Sequence, residues 1–94
     1  MSSLLKFGSE QLDPEESRLL WKSDSGKVQV TVIPDTAEAI WVSNHPAFAM
    51  DNAMLLISKG QPVLFNMSAG DQLFAHNDPQ MRDTATVHFS VAAA

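Results

Sequence analysis

The chain has 94 residues, a mass of 10.3 kDa and a formal charge of −5, from six basic and eleven acidic residues. Surface scaling predicts that a chain of this mass buries about 64% of its unfolded area, which allows one domain with a thin core. This length excludes a two-domain enzyme and a doubly wound nucleotide-binding sheet. The acidic charge argues against direct binding of nucleic acid, since phosphate contacts need a basic face.

Cysteine is absent from the chain, which excludes disulfides, a thiolate nucleophile and thiolate zinc sites. No apolar run approaches the roughly 18 residues of a membrane-spanning helix, and the N-terminus lacks the order of a secretory signal. We therefore expect a protein made in a reducing cytoplasm and without membrane contact.

Residues 1–17 are predicted to form an N-terminal arm or an edge element, ahead of a domain over residues 18–94. Leu4, Leu5 and Phe7 make a short apolar patch in this segment. Such a patch either pairs as an edge strand or docks on a neighbouring molecule. Because an arm makes its contacts outside the domain, its deletion is expected to leave the domain folded.

Four acidic residues follow this patch, with no basic residue among them: Glu10, Asp13, Glu15 and Glu16. The stretch is typical of a solvated face, and the alternative is an acidic arm that docks on a basic partner surface. Asp13 and Pro14 also favour one helical turn here, because Asp is a good N-cap and Pro suits the first helical position.

Seven or so short strands are predicted after this turn, and no long helical periodicity is present. They cover, in order, a segment that ends near Trp21 and residues 27–33, 39–43, 53–59, 63–67, 72–75 and 84–91. Turn signals separate them about every 8 to 12 residues, a spacing typical of all-β domains. The sequence therefore predicts an all-β chain, a small antiparallel β-sandwich or jelly-roll-like fold with an N-terminal arm.

Two of these strands show the period-2 alternation of a half-buried strand. Valines share one face of residues 27–33, and in residues 84–91 the apolar side chains are predicted to face the core while His88 faces out. The predicted strand 53–59 begins instead with a continuous apolar run, residues 53–57, which is typical of a strand buried on both faces. The isolated glycines are candidates for positive φ: Gly8, Gly26, Gly60 and Gly70.

The sequence contains no motif that predicts catalysis. The three histidines, His45, His76 and His88, lack the spacing of metal ligands and are predicted to be ordinary loop and surface residues. Nucleophile-elbow, calcium-loop and phosphate-loop motifs are absent. A serine–histidine–aspartate arrangement is left open only as one that the fold assembles in space. We predict no enzymatic activity, no metal and no cofactor.

The remaining large apolar residues are candidates for partner or oligomer contacts. Trp41 lies in a predicted strand and is expected in the core rather than at an interface. Phe48 and Met50 follow Pro46 in an irregular loop and either plug the open end of the sandwich or contact a partner, since Phe and Met are enriched at interface centres. Together with residues of the arm, the candidate contact set is Leu4, Leu5, Phe7, Glu10, Asp13, Trp41, Phe48 and Met50.

The C-terminal part of the chain resembles a known family. Residues 63–75 read VLFNMSAGDQLFA, and residues 84–91 read TATVHFSV. This pattern is similar to the C-terminal half of many small tailed-phage virion proteins. Those proteins end with an apolar strand, an AGD or AGE turn, a short return strand and an alternating Thr/Val strand. Residues 1–50 show no match to the pattern.

The resemblance implies a small, usually oligomeric β-sandwich that decorates or cements the capsid, or that builds a tail or fibre part. It brings no catalytic residue. The first hypothesis is therefore a capsid decoration or cement protein of a phage virion, assembled in the host cytoplasm. It would be a homo-oligomer, with a trimer favoured, and its partner would be the major capsid protein or another virion protein. The alternatives are a tail, neck or fibre-base protein and a carbohydrate-binding β-sandwich module.

Overall fold

Eight strands and no helix make up the part of the chain that the computed structural model describes, residues 4–24, 26–35, 39–49, 54–78, 80 and 83–93. The strands are β1 (Leu4–Leu12), β2 (Ser17–Lys22), β3 (Val28–Pro34), β4 (Ala39–Ser43), β5 (Leu55–Ser58), β6 (Val63–Met67), β7 (Gln72–His76) and β8 (Ala85–Ala93). Within these residues no helix has the length and apolar character needed to cross a membrane.

The strands form two four-stranded sheets, sheet A in the order β1-β8-β3-β6 and sheet B in the order β2-β7-β4-β5. Every recorded pairing is antiparallel. The chain pairs its first strand with its last, its second with its seventh, and so on inward, as a long hairpin does when it is folded over into two sheets. This order is that of a jelly roll, so the predicted antiparallel sandwich or jelly-roll-like fold is confirmed.

The core lies between the sheets and comes from the inward faces of the alternating strands. Val30 and Val32 of β3 and Val87 and Val91 of β8 are all fully buried, as their alternation predicts. Ile40 of sheet B is also fully buried in this core. β3 and β8 are the central strands of sheet A, which explains why they carry the cleanest patterns.

Within the predicted strand 53–59, Leu55–Ser58 form the edge strand β5, and the prediction that both faces of this strand are buried is wrong. β5 is the last strand of sheet B and covers only Leu55–Ser58. Ile57 is buried, whereas Leu55 and Leu56 are 47% and 49% exposed. An apolar run shows that a segment is a strand, but the neighbours of that strand decide which of its faces are covered.

The apolar patch near the N-terminus belongs to β1, an edge strand of sheet A. Its register with β8 runs from Leu4 opposite Ala92 to Leu12 opposite Ala85, with a bulge between Leu4 and Lys6. Of the two interpretations of this segment, arm or edge element, the structure places residues 4–12 in an edge strand. The fully buried Leu12 closes one end of the core.

Gly8 of β1 serves a packing role and is not among the glycines with positive φ, which are Gly26, Gly60 and Gly70. It lies opposite Phe89, and a Cβ built on Gly8 would sit 2.6 Å from the Cε1 atom of that ring. The ring therefore occupies the space that a side chain would fill.

Gly8→Val is expected to destabilise the fold by about 1–3 kcal/mol, the usual cost of forcing extra volume into a packed site. Denaturant unfolding measures the change. Gln11→Val is the matched control, because Gln11 is an exposed residue of the same strand and its replacement should be nearly neutral. Equal effects of the two variants would contradict a steric role for Gly8.

Residues 13–16 form a β-turn between the two sheets instead of the predicted helical turn. The Glu16 amide donates to the Asp13 carbonyl over 2.9 Å, and Glu15 has a φ of 73°. Pro14 followed by a residue of positive φ is the pattern of a type II turn, whose third position favours Gly. The predicted helical turn is therefore wrong: β2 begins at Ser17 and leaves no room for a helix.

Glu15→Gly is expected to stabilise the protein by up to about 1 kcal/mol, because Gly adopts positive φ without the steric penalty of a Cβ. The midpoint of thermal unfolding should rise. The same replacement at Glu16 should lower it, since Glu16 forms an ion pair with Arg18 at 3.0 Å. A fall for Glu15→Gly would show that its backbone is not strained.

Candidate functional site

The outer face of sheet B carries an apolar band that crosses all four strands. Cross-strand register aligns Leu19 with Phe74, and Trp41 with Leu56. Phe48, from the loop after β4, packs against Trp41 on the same face. We call these five residues the outer band. Each strand residue in it alternates with side chains that face the core, so sequence alternation places it on the solvent side.

The outer band is partly ordered by its own contacts. The Trp41 and Phe48 rings meet edge to face with centroids 6.2 Å apart. The Trp41 indole nitrogen donates to an Asp78 carboxylate oxygen over 3.4 Å. Leu19 and Leu56, at the two ends of the band, remain 42% and 49% exposed. The band therefore offers a prearranged aromatic centre between two exposed leucines.

A fully buried histidine lies among the aromatic residues of this face. His76 is 0% exposed, and the Ser17 and Ser43 hydroxyls each lie 2.7 Å from one of its ring nitrogens. The Ser43 hydroxyl also lies 3.2 Å from the His45 carbonyl, which accepts its proton if the Nε2–H tautomer of His76 donates to Ser43. Burial lowers the pKa of His76 and favours the neutral ring.

This position corrects the prediction that His76 is an ordinary loop or surface residue. The prediction rested on the turn signal of Asn77 and Asp78, which does end β7, but one residue later than predicted. Asn77 is also fully buried, and its amide donates to the carbonyls of Leu12 and Asp83, each over 3.0 Å. The turn residues therefore fasten β7 to the end of β1.

The outer face of sheet A carries a second constellation. Ser9 and His88 face each other across β1 and β8, and the Ser9 hydroxyl lies 2.6 Å from His88 Nδ1. On the other side of the ring, His88 Nε2 lies 2.9 Å from an Asp35 carboxylate oxygen. The outward orientation of His88 that the alternation predicts is confirmed. The contacts of the serine and the carboxylate with His88 cannot be predicted from the sequence. The two residues are 79 and 53 positions from His88, and only the fold brings them together.

The predicted contact residues of the N-terminal segment fall into two groups. Leu5 and Phe7 are exposed, at 53% and 74%. Leu4 lies in β1. Glu10 pairs instead with Arg18 of β2 at 3.0 Å, and an Asp13 carboxylate oxygen accepts from the Thr84 hydroxyl over 3.0 Å. These two carboxylates make contacts within the sandwich, whereas Leu5 and Phe7 are exposed.

The other predicted contacts come from the middle of the chain. Trp41 and Phe48 both lie in the outer band, and Trp41 is half buried on the face opposite the core, so its expected core position is wrong. Phe48 covers part of that face, with its ring centroid 6.3 Å from that of His76, and does not plug an open end. Met50 lies outside the described residues.

The described residues contain no cluster of three or more histidine or acidic side chains with the geometry of a metal site. The outer face of sheet B offers apolar contact, and that of sheet A brings together a serine, a histidine and a carboxylate. Comparison of the chain with protein-family models, with curated proteins and with solved structures finds no match to any of them.

Proposed function

We propose that the chain is a structural protein of a tailed-phage virion, a capsid decoration or cement protein that docks on capsid subunits through the outer band. The observation that carries this proposal is the apolar surface of sheet B. An exposed face of an antiparallel sandwich is normally polar, so a row of aromatic and leucine side chains there favours a protein partner.

The location of the exposed apolar groups matters more than their total amount. The accessible surface is 5539 Å², close to the roughly 5,400 Å² that scaling gives for a monomer of this mass. The sandwich thus covers itself about as well as an ordinary small domain. What matters is that the pairs Leu19–Phe74 and Trp41–Leu56 lie on one face of sheet B, where one partner surface can cover both.

Each contact of this kind is weak, since covering a half-exposed leucine contributes about 1 kcal/mol. A decoration protein needs no more than this from each side chain, because several contacts act together and linked subunits bind with raised effective concentration. The proposal therefore includes a homo-oligomer, with a trimer favoured, that bridges neighbouring capsid subunits.

The C-terminal resemblance adds support at the level of fold. The segment forms β6, a turn at residues 68–71 and β7, followed by β8. Jelly rolls are common in viral capsid proteins, although they also occur in lectins. One detail differs: β7 does not return beside β6, because the turn carries the chain from sheet A to sheet B.

Leu56→Glu is expected to reduce binding to phage heads at least about tenfold while leaving the melting temperature nearly unchanged, because it places a charge in a contact that excludes water. Leu64→Glu is the matched control: Leu64 is 51% exposed against 49% for Leu56, but it lies in β6 of the other sheet. The measurement is co-sedimentation of purified protein with heads of the phage that encodes it.

Several outcomes would contradict the proposal. Absence of the wild-type protein from the head pellet excludes a decoration role, and its appearance with purified tails favours the tail or fibre-base alternative. Binding to a glycan array without binding to particles favours the carbohydrate module. Size-exclusion chromatography coupled to light scattering tests the oligomeric state, since the mass of a monomer would contradict the proposed trimer.

A further inference from the structure

The line of Ser9, His88 and Asp35 on sheet A is the arrangement of a nucleophile, a base and an orienting carboxylate. We propose that it is a hydrolytic site for esters of apolar acids, an activity separate from the proposed structural function. The serine hydroxyl is within hydrogen-bonding reach of one imidazole nitrogen, at 2.6 Å, and the carboxylate is within reach of the other, at 2.9 Å. These contacts meet the nucleophile–base and base–carboxylate distances that a serine hydrolase requires.

The fold places Ser9 and His88 on paired strands and Asp35 directly after β3, and the side chains of His88 and Asp35 are 45% and 55% exposed. Ser9 and Ile33 are the register partners of His88 on its two sides, so both neighbours of the histidine are strands. Asp35 follows β3 directly, and its backbone amide donates to the Thr86 carbonyl over 2.8 Å. That bond fixes the backbone of Asp35 at the end of β3, next to the strand that carries His88.

The same residues border a groove with room for a small acyl group. Its volume is about 420 Å³, within the range of small-molecule sites. Phe7 and Ile33 supply apolar walls, Thr31 and Ser90 bring hydroxyl groups, and the core residue Phe89 borders the groove from the strand between them. Apolar walls next to a nucleophile favour an aliphatic acyl chain, and the hydroxyls are the available donors toward the carbonyl oxygen.

The reaction balances with water as the only co-reactant. Ser9 Oγ forms a bond to the acyl carbon as its proton passes to His88 Nδ1, and the negative charge of Asp35 stabilises the imidazolium. The ester C–O bond then breaks, and the leaving oxygen takes the proton from Nδ1 and departs as an alcohol. Water attacks the acyl carbon in the same way, gives its proton to Nδ1, and the acid is released as Ser9 regains that proton.

The activity expected is slow, because the donors toward the carbonyl oxygen are side-chain hydroxyls and not a pair of fixed backbone amides. The appropriate measurements are therefore labelling with a fluorophosphonate probe, read by intact mass and peptide mapping, and hydrolysis of 4-nitrophenyl esters by the full chain. We expect one adduct per chain, on Ser9, and faster hydrolysis of the butyrate ester than of the acetate ester.

Variants separate this site from general serine reactivity. His88→Gln is expected to slow labelling about 100-fold, the lower end of what a positioned base contributes, and Ser9→Ala to abolish it. Ser58→Ala, at an exposed serine of sheet B, should label like the wild type. Thermal unfolding confirms that each variant is folded. No adduct, an adduct spread over several serines, or unchanged labelling in His88→Gln overturns the site, and equal rates for the two esters overturn the apolar acyl preference.

Discussion

A chain that lacks residues 1–12 is expected to be unfolded. β1 pairs with β8 along its whole length, so its removal exposes the edge of a central strand and uncovers the core beside Phe89. Fully buried Leu12 is lost with it, and the Asn77 amide loses the Leu12 carbonyl as an acceptor. Far-ultraviolet circular dichroism with thermal melting checks this result, since a loss of the cooperative transition is expected.

The same prediction has a version that needs only one substitution. Leu12→Ala removes a fully buried side chain and is expected to cost about 2–5 kcal/mol, which is a large part of the stability of a small domain. Leu5→Ala is the control on the same strand, because Leu5 is 53% exposed and its truncation should cost little. If the truncated chain keeps a cooperative melt, residues 1–12 belong to a dispensable arm, as the composition of residues 1–17 alone predicts.

The sequence predicts the central strands of sheet A more clearly than it predicts the edge strand β1. Alternation identified β3 and β8 because both are central strands with one face on the core, where pattern and burial agree. β1 has no such alternation: Gly8 faces inward where an apolar residue is expected, because the Phe89 ring fills its space. An edge strand that receives its packing from its partner therefore carries too little pattern of its own.

The candidate sites could not be predicted from the sequence, for a different reason. No local sequence motif marks Ser9, Asp35 and His88. The same holds for Ser17, Ser43 and His76. Their meeting depends on the pairing of strands that are distant in sequence, which periodicity does not determine. The outer band could be predicted in part, because Trp41 and Phe48 are contact candidates in the sequence. Leu19 and Leu56 are predicted only as strand residues.

The stability of the protein is expected to fall as the pH is lowered below about 6.5, the pKa of an unperturbed histidine. The pKa of His76 is lowered in the folded state because the buried ring favours its neutral form. The unfolded chain therefore takes up this proton first, so the contribution of His76 is complete above the unfolded pKa and is lost as the pH falls toward the folded one. One such group changes the free energy of unfolding by at most about 1.4 kcal/mol per pH unit.

His76→Leu separates this effect from the general acid sensitivity of an acidic protein. The variant is expected to be less stable than the wild type at pH 7.5 by about 1–3 kcal/mol, because the part-buried Ser17 hydroxyl loses its ring partner and the Ser43 hydroxyl loses the other contact. Its stability should also fall less steeply between pH 7 and pH 5, measured by urea unfolding at each pH. His45→Gln is the control, since His45 is exposed and its replacement should keep the wild-type slope. Equal slopes in the wild type and His76→Leu would assign the acid sensitivity to other groups.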